Sequence, residues 1–300
     1  MPETSILTLA AAVCVICTLV ATLAARPWKT ESARLAGLPA VGLGLGFLLA
    51  ILILLGLPDP IVPRATRWHW LFWTPVPVIV AGAIEALLGQ RAVLRTILAI
   101  FTIIAALTLS GIGQVYPTYP NGWHGAAIAQ WLGLPITISI GTTLLSGWVS
   151  GKFGARTVIA SWLVMSFAVG GAAAFLSGFG SLGTASVMLA PAVVALAVML
   201  FLFPKFTPGL TVWAGLSVLC AALVSAALEP WYGSMQVGHG VMLLLAPLGI
   251  LAVFLADRTR WWTPPIVVAL ATIAIACWPI GETIASALNY YAEGYLPTWN

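Results

Sequence analysis

Long uncharged apolar runs recur along the whole of this 300-residue chain, and they limit its possible folds more than any other feature. A helix needs about 20 mainly apolar residues to cross a hydrocarbon core of about 30 Å, because it rises about 1.5 Å per residue. Short connections separate the runs that are long enough. The predicted spans are residues 5–25, 35–57, 68–88, 92–113, 125–147, 156–178, 184–203, 209–229, 240–256 and 264–288.

The runs are predicted to be helices and not strands. They lack the polar–apolar alternation of membrane β-strands, and backbone groups in lipid must pair within one helix or a closed barrel. Only 7% of the residues are charged, whereas soluble domains carry about 25%. We therefore predict an all-α, polytopic transmembrane helical bundle of about ten spans. It forms a single integral membrane domain over residues 1–300, surrounded by the lipid bilayer.

Basic residues are segregated between alternate connections. Connections two, four, six and eight, with both tails, hold only Arg64 and Arg67. Because cytoplasmic loops carry an excess of Lys and Arg, both termini are predicted outside and the protein is placed in the plasma (inner) membrane. The basic residues are scattered and form no patch, which excludes nucleic acid as a partner. The odd-numbered connections hold Arg26, Lys29, Arg34, Arg91, Arg95, Lys152, Arg156, Lys205, Arg258 and Arg260.

An uncharged aromatic stretch, residues 114–131 (QVYPTYPNGWHGAAIAQW), lies on the predicted outer side between spans four and five. All six tyrosines and all three histidines of the chain fall on that side too. Tyr and Trp favour the membrane–water boundary, since each ring is apolar and carries one polar group. The stretch is therefore either an outer vestibule, a docking surface for a protein partner, or a plain membrane anchor.

Histidine and glutamate side chains on the outer side form the first candidate site. His69, His124 and His239 each lie near the start of an inward-running span, while Glu229 and Glu282 lie near the outer ends of spans eight and ten. Three imidazoles suit a zinc ion with one open position, where Glu229 or Glu282 is a candidate fourth ligand, and two facing imidazoles suit haem iron. The sequence contains no HExxH motif, so interfacial histidines bonded to loop carbonyls are the favoured alternative. No cofactor is required by the sequence; a metal ion or haem is left open.

No acid or base is predicted at the middle of a span. That absence argues against a proton pump built on a deep carboxylate relay, because intramembrane charges mark such relays. Glu85 is predicted near the inner end of span three, with its side chain reaching toward Arg91 or Arg95. Cys14 and Cys17 form a CxxC within an apolar helix and are interpreted as buried and inert, since redox cysteines need an electropositive, exposed setting.

Prolines and small residues predict how the helices bend and pack. Prolines within spans indicate either ordinary kinks or broken helices around a cavity. Glycines in spans two and six predict close approach of neighbouring helices. These residues are Pro75, Pro77, Pro135, Pro191, Pro247 and Pro279, with Gly42, Gly46, Gly170 and Gly171.

Polar residues within span five suggest the leading functional hypothesis. Thr137, Ser139, Thr142 and Thr143 follow one another in a single span, where lipid contact alone does not explain them. They predict a hydroxyl-lined path in a permease or channel for a small neutral or weakly polar solute. The substrate-binding residues would be Thr137 and Thr142 with the outer histidines and glutamates. The alternatives are a membrane subunit of a larger respiratory or haem-binding complex, and a membrane enzyme using the His/Glu face.

Overall fold

The protein is an all-helical bundle in the computed structural model, which describes residues 4–28, 35–56, 69–88, 91–118, 132–176, 181–227, 237–256 and 262–292. Every regular element within these ranges is a helix. The helices are α1 Thr4–Ala24, α2 Leu38–Leu55, α3 His69–Trp73, α4 Pro75–Leu88, α5 Ala92–Thr118, α6 Leu134–Phe153, α7 Ala155–Leu176, α8 Ser181–Val187, α9 Leu189–Leu202, α10 Leu210–Ala227, α11 Val237–Leu245, a 3-10 helix Ala246–Leu255, and α12 Thr263–Ala292.

Within the described ranges, eight helical segments are long and apolar enough to cross a membrane. Two further predicted spans are also helices but differ in character. Helix α6 is long enough but is diluted by Ser, Thr and Gly, and the apolar part of α10 is short, Leu210–Ser225. The prediction of an all-α membrane bundle is confirmed. Span five is predicted over residues 125–147; its described helix runs from Leu134 to Phe153, past the predicted end, while residues 125–131 lie outside the described residues.

Prolines break some of the spans and leave others continuous. Thr74 separates α3 from α4 at Pro75, whose ring cannot donate the hydrogen bond that would continue the helix. Pro247 lies at the start of the 3-10 helix. Pro279, by contrast, lies inside the unbroken helix α12. Prolines therefore coincide with a break or a change of helix type at some spans and not at others.

The 3-10 helix lengthens a short span. A 3-10 helix rises about 2.0 Å per residue against about 1.5 Å in an α-helix. Helix α11 and the 3-10 helix together have 19 residues, 9 and 10 respectively. They reach about 33 Å, which spans the hydrocarbon core, whereas an α-helix of that length reaches about 28 Å. Runs of 3-10 helix this long are uncommon, and nothing in the sequence pattern indicates this one.

Helix α10 forms the centre of the bundle. Its residues from Thr211 to Ser225 are all buried, and it packs against α4, α5, α6 and α7. A helix that is hydrophobic on all sides needs such a position. The close α1–α2 contact depends on glycine, as predicted. A Cβ at Gly42 would lie 2.5 Å from the Ala21 Cβ and 2.6 Å from the Cys17 carbonyl oxygen. Gly171 departs from the prediction, because nothing lies within 4 Å of its Cβ position.

Residues from different odd-numbered connections and adjoining helix ends meet in space. The Trp28 and Phe203 rings lie 6.0 Å apart, and the Phe153 and Phe254 rings 5.4 Å apart. The Gly209 N–H donates a hydrogen bond of 2.7 Å to the Ala36 carbonyl. The charge pattern places all of these positions on one side of the membrane, and the bundle brings them together at one end.

Candidate functional site

Only part of the predicted outer His/Glu site lies within the described residues. His124 and Glu229 lie outside the described residues, as does most of the aromatic stretch 114–131. His69 begins α3, but its side chain also lies outside the description. His239 on α11 and Glu282 on α12 are the two predicted site residues of this group whose side chains can be placed.

His239 and Glu282 lie on adjoining helices around one tryptophan. The His239 ring meets the Trp278 ring edge-on, with the centroids 5.7 Å apart. Glu282 follows Trp278 by four residues on the same helix, so the two share one face. Trp278 is 55% exposed and Glu282 is exposed, so the rest of the chain leaves this face uncovered. Among the described residues, no group of three His, Cys, Asp or Glu side chains is placed to hold a metal ion.

The hydroxyl residues of α6 share one face, and that face points into the bundle. Five hydroxyl residues recur at the three- and four-residue spacing of one helix face, and all five are buried: Ser139, Thr142, Thr143, Ser146 and Ser150. We call this set the hydroxyl face. Thr137 is not part of it: its side chain is exposed and donates a 2.7 Å hydrogen bond to the Gly133 carbonyl on its own helix. The face therefore extends further toward the end of α6 than the four predicted residues did.

Hydroxyl groups on neighbouring helices bond to this face. The Thr142 and Ser217 hydroxyls lie 3.1 Å apart in a hydrogen bond between α6 and α10. Ser217 also donates to the Ser139 carbonyl at 3.4 Å. On the α7 side, the Trp162 indole N–H donates to the Ser146 hydroxyl at 3.1 Å. Sequence analysis missed Ser217 and Trp162, because a lone Ser or Trp in an apolar helix gives no signal of its partner.

Two hydroxyls of the face have no partner. Within the described part of the chain, the buried side-chain oxygens of Thr143 and Ser150 make no hydrogen bond. An unpaired polar group away from water costs about 1–3 kcal/mol in protein mutational data. A buried polar position of this kind is where water or a polar solute forms hydrogen bonds. The face thus keeps free hydrogen-bonding capacity inside an otherwise apolar bundle.

A buried ion pair lies close to the end of the face, where α4, α5 and α10 meet. The Glu85 side chain is 0% exposed, and its Oε1 lies 3.1 Å from the Arg95 Nε. The backbone N–H groups of Leu210 and Thr211 each donate to the Glu85 carboxylate at 3.2 Å, and the Thr211 hydroxyl donates to it as well. The carboxylate therefore caps the start of α10, where the helix dipole and free N–H groups favour negative charge.

Glycine makes room for this carboxylate. A Cβ on Gly209 would collide with the Glu85 carboxyl atoms, so only glycine fits at the residue before α10. Of the two arginines that Glu85 is expected to reach, Arg91 and Arg95, the structure pairs it with Arg95. Three further donors that the sequence does not predict also bond to the carboxylate. Those donors are 125 and 126 positions away in sequence, and no local pattern indicates them.

The cysteines fit their predicted inert role only in part. Cys14 is buried, and its thiol donates to the Gly46 carbonyl at 3.3 Å. Cys220 is buried too, but Cys17 is half-buried and Cys277 is exposed on α12. The prediction that Cys14 and Cys17 are buried is therefore confirmed for Cys14 and met only in part by Cys17, while Cys277 lies on the uncovered face of its helix.

The fold defines the class of this protein: it is a multi-pass, α-helical integral membrane protein. Comparison of the chain with models of protein families, with curated proteins and with solved structures gives no match.

Proposed function

We propose that the protein is a permease or channel of the plasma membrane for a small neutral or weakly polar solute. The observation that carries this proposal is the hydroxyl face of α6, which turns inward in a helix that is otherwise suited to lipid. A solute would exchange hydrogen bonds with water for hydrogen bonds with these hydroxyls.

The dimensions of the face support a transmembrane path. Ser139 and Ser150 are 11 residues apart, which corresponds to about 16 Å along a helix, or about half of the hydrocarbon core. Ser217 adds a hydroxyl from the central helix α10, and Thr272 on α12 bonds to Ser161 on α7 at 2.9 Å. Hydroxyl groups therefore bridge the helix interfaces at several positions.

The charges around the face favour a neutral solute. Within the described ranges, Glu85 is the one acidic side chain that is buried, and Arg95 neutralises it. The five hydroxyl residues of the face carry no charge to balance a carboxylate or ammonium group on the solute, and an unpaired buried charge is costly. Hydroxyl groups suit solutes that donate and accept hydrogen bonds.

Residues on the predicted outer side of the bundle are proposed to form an entrance to the solute path. His239, Trp278 and Glu282 lie on the uncovered face of α11 and α12, and the aromatic stretch 114–131 is predicted on the same side. We propose that these residues form a vestibule that concentrates weakly polar molecules. His69, His124 and Glu229 are proposed to line the same vestibule.

A permeation assay tests the proposal with a matched pair of variants. Purified protein in liposomes is exposed to osmotic steps of glycerol, urea and other small neutral solutes, and vesicle swelling is followed by light scattering. Thr142→Val removes a hydroxyl from the face, while Thr137→Val removes the same hydroxyl from the exposed side of the same helix. We expect Thr142→Val to lower the flux of at least one solute about tenfold, as loss of one stabilising hydrogen bond of about 1.4 kcal/mol would.

Thr137→Val is expected to keep wild-type flux. Equal fluxes in empty liposomes and in liposomes with the wild-type protein, for every solute tried, would contradict the proposal. A loss of flux in Thr137→Val that equals the loss in Thr142→Val would show that the hydroxyl face is not the path.

A second candidate is a membrane subunit of a larger complex, and the uncovered face of α12 favours it. Cys277, Gly281 and Glu282 are all exposed there. A carboxylate facing lipid is costly, and small residues allow a second helix to approach closely. Native mass spectrometry after mild extraction would detect a stoichiometric partner; a single chain of 31.4 kDa would argue against this candidate.

A further inference from the structure

Leu210 links the buried carboxylate to the hydroxyl face. Its backbone N–H donates to the Glu85 Oε1 at 3.2 Å. Its side chain packs on α6, because a Cβ at Gly147 would lie 2.5 Å from the Leu210 Cδ1. One residue is thus held by Glu85 at its backbone while its side chain rests against the helix that carries the hydroxyl face.

Leu210 contacts α6 beside the last two hydroxyls of the hydroxyl face. Gly147 lies between Ser146 and Ser150, the last two hydroxyls of the face, and it has no side chain of its own to separate them from Leu210. The α6–α10 contacts run antiparallel, since Leu210 meets Gly147 while Ser217 meets Thr142. Leu210 is therefore an apolar side chain at the predicted inner end of the hydroxyl face.

Several hydrogen bonds fix the backbone around Leu210. Glu85 receives the N–H groups of Leu210 and Thr211 and the Thr211 hydroxyl, and it pairs with Arg95 on α5. The preceding residue, Gly209, is also tied down by its hydrogen bond to Ala36 beside α2. The start of α10 cannot move toward or away from α6 without breaking contacts to this one buried carboxylate.

We infer that Glu85 is the latch of an inner gate, with Leu210 as the gating side chain. While the carboxylate holds the start of α10, Leu210 closes the inner end of the hydroxyl face. When this hold is lost, α10 can shift at its start and the face opens to the inner solution. The inference rests on the proposed permeation path and adds its regulation; Glu85 acts here as a positioning residue.

Thiol labelling tests the latch without knowledge of the solute. The background replaces Cys14, Cys17, Cys220 and Cys277 with alanine, and Ser150→Cys serves as the reporter in the full-length protein. Inside-out and right-side-out vesicles are treated with a membrane-impermeant maleimide. We expect slow labelling of the reporter in the otherwise unchanged background. With Glu85→Gln we expect labelling from the inner side to be at least about tenfold faster, because loss of the latch raises the fraction of open molecules by that factor.

Two further variants keep the result interpretable. Leu210→Ala removes the gating side chain and leaves the latch intact, so it should raise labelling as well, even if Glu85→Gln fails to fold. Thr96 lies one residue from Arg95 on the same helix; Thr96→Val loses only the hydroxyl's hydrogen bond to the Ala92 carbonyl of that helix and should leave labelling unchanged. A separate reporter, Gly238→Cys, should label only from the outer side in every variant if the bundle is intact.

The labelling has outcomes that contradict the latch. If both Glu85→Gln and Leu210→Ala label at the background rate while Gly238→Cys keeps its sidedness, the latch is wrong. Failure of the permeation proposal is a separate result, because labelling needs no solute flux. Rapid inner labelling of the reporter in the unchanged background would also overturn the inference, because the gate would then be open at rest.

Discussion

At the scale of single residues, Glu85 is a side chain that joins three helices, because it bonds to residues of both α5 and α10 from α4. A carboxylate that is fully removed from water persists because one cation, two backbone N–H groups and one hydroxyl satisfy it. The sequence identifies Glu85 and limits its expected ion-pair partner to Arg91 or Arg95, which follow it across one short connection. It cannot identify Thr211 or Gly209, because their role arises only when distant helices pack.

Removal of this carboxylate should destabilise the protein strongly. Glu85→Ala leaves Arg95 and the start of α10 without their partner, and breaking a buried pair typically costs about 3–5 kcal/mol. Denaturant titration of the detergent-solubilised protein measures the change in unfolding free energy. Thr96→Val is the control and should change it by no more than about 0.5 kcal/mol, as exposed substitutions do. A cost for Glu85→Ala as small as that of the control would mean that the pair contributes nothing to stability.

The Thr142–Ser217 bond predicts a measurable coupling between two residues. Thr142→Val and Ser217→Ala each remove one partner of a buried hydrogen bond. Because they act on one contact, the double variant should cost less than the sum of the single variants, with a coupling of about 0.5–2 kcal/mol. The same unfolding titration applied to all four proteins completes the cycle. Strict additivity would show that the two hydroxyls do not interact in the membrane bundle.

At the scale of elements, helix packing depends on where glycine meets a neighbouring backbone. Apolar runs predict the helices well, because backbone in lipid has few alternatives to a helix. They predict less about ends and breaks: α6 runs on to Phe153, past the predicted end at residue 147, and the 3-10 helix has no signature beyond Pro247. The hydroxyl face could have been extended from sequence, since Ser146 and Ser150 continue the helical spacing that begins at Ser139.

Two alanine substitutions should have opposite effects on stability. Gly42→Ala places a methyl group 2.5 Å from the Ala21 Cβ and against the backbone of α1, so we expect a loss of about 1–3 kcal/mol from overpacking. Gly141→Ala meets nothing within 4 Å and should be neutral or gain up to about 1 kcal/mol of helix stability. Thermal unfolding in detergent distinguishes them; a gain at Gly42 would contradict the close contact of α1 and α2.

At the scale of the whole molecule, the charge pattern predicts which helix ends share one side of the membrane, and contacts join helix ends on that predicted side. The connections that carry ten of the twelve Lys and Arg residues have their adjoining helix ends gathered at one end of the bundle, as the Gly209–Ala36 hydrogen bond illustrates. Sequence therefore predicts the class of protein and its sidedness. It does not predict which helix is central, because that position depends on how α10 packs against several helices distant in sequence.

Orientation in the membrane is checked by labelling single cysteines. In a cysteine-free background, cysteines placed at Asn121 and Gly233 should react with an impermeant reagent from outside, because they lie in even-numbered connections. A cysteine at Gly154, in a basic connection, should react only after the inner side is opened. The reverse pattern would invert the predicted orientation while leaving the bundle unchanged.

The most direct test of the central claim measures whether a thiol on the hydroxyl face blocks flux. Thr143→Cys and Thr137→Cys are compared in liposomes, in the cysteine-free background, with a small permeant thiol reagent. Thr143 is buried with an unpaired hydroxyl on the face, and Thr137 is on the exposed side of the same helix. We predict that modification of Thr143→Cys stops solute flux and that modification of Thr137→Cys leaves it unchanged. Undiminished flux after complete modification of Thr143→Cys would contradict a path along this face.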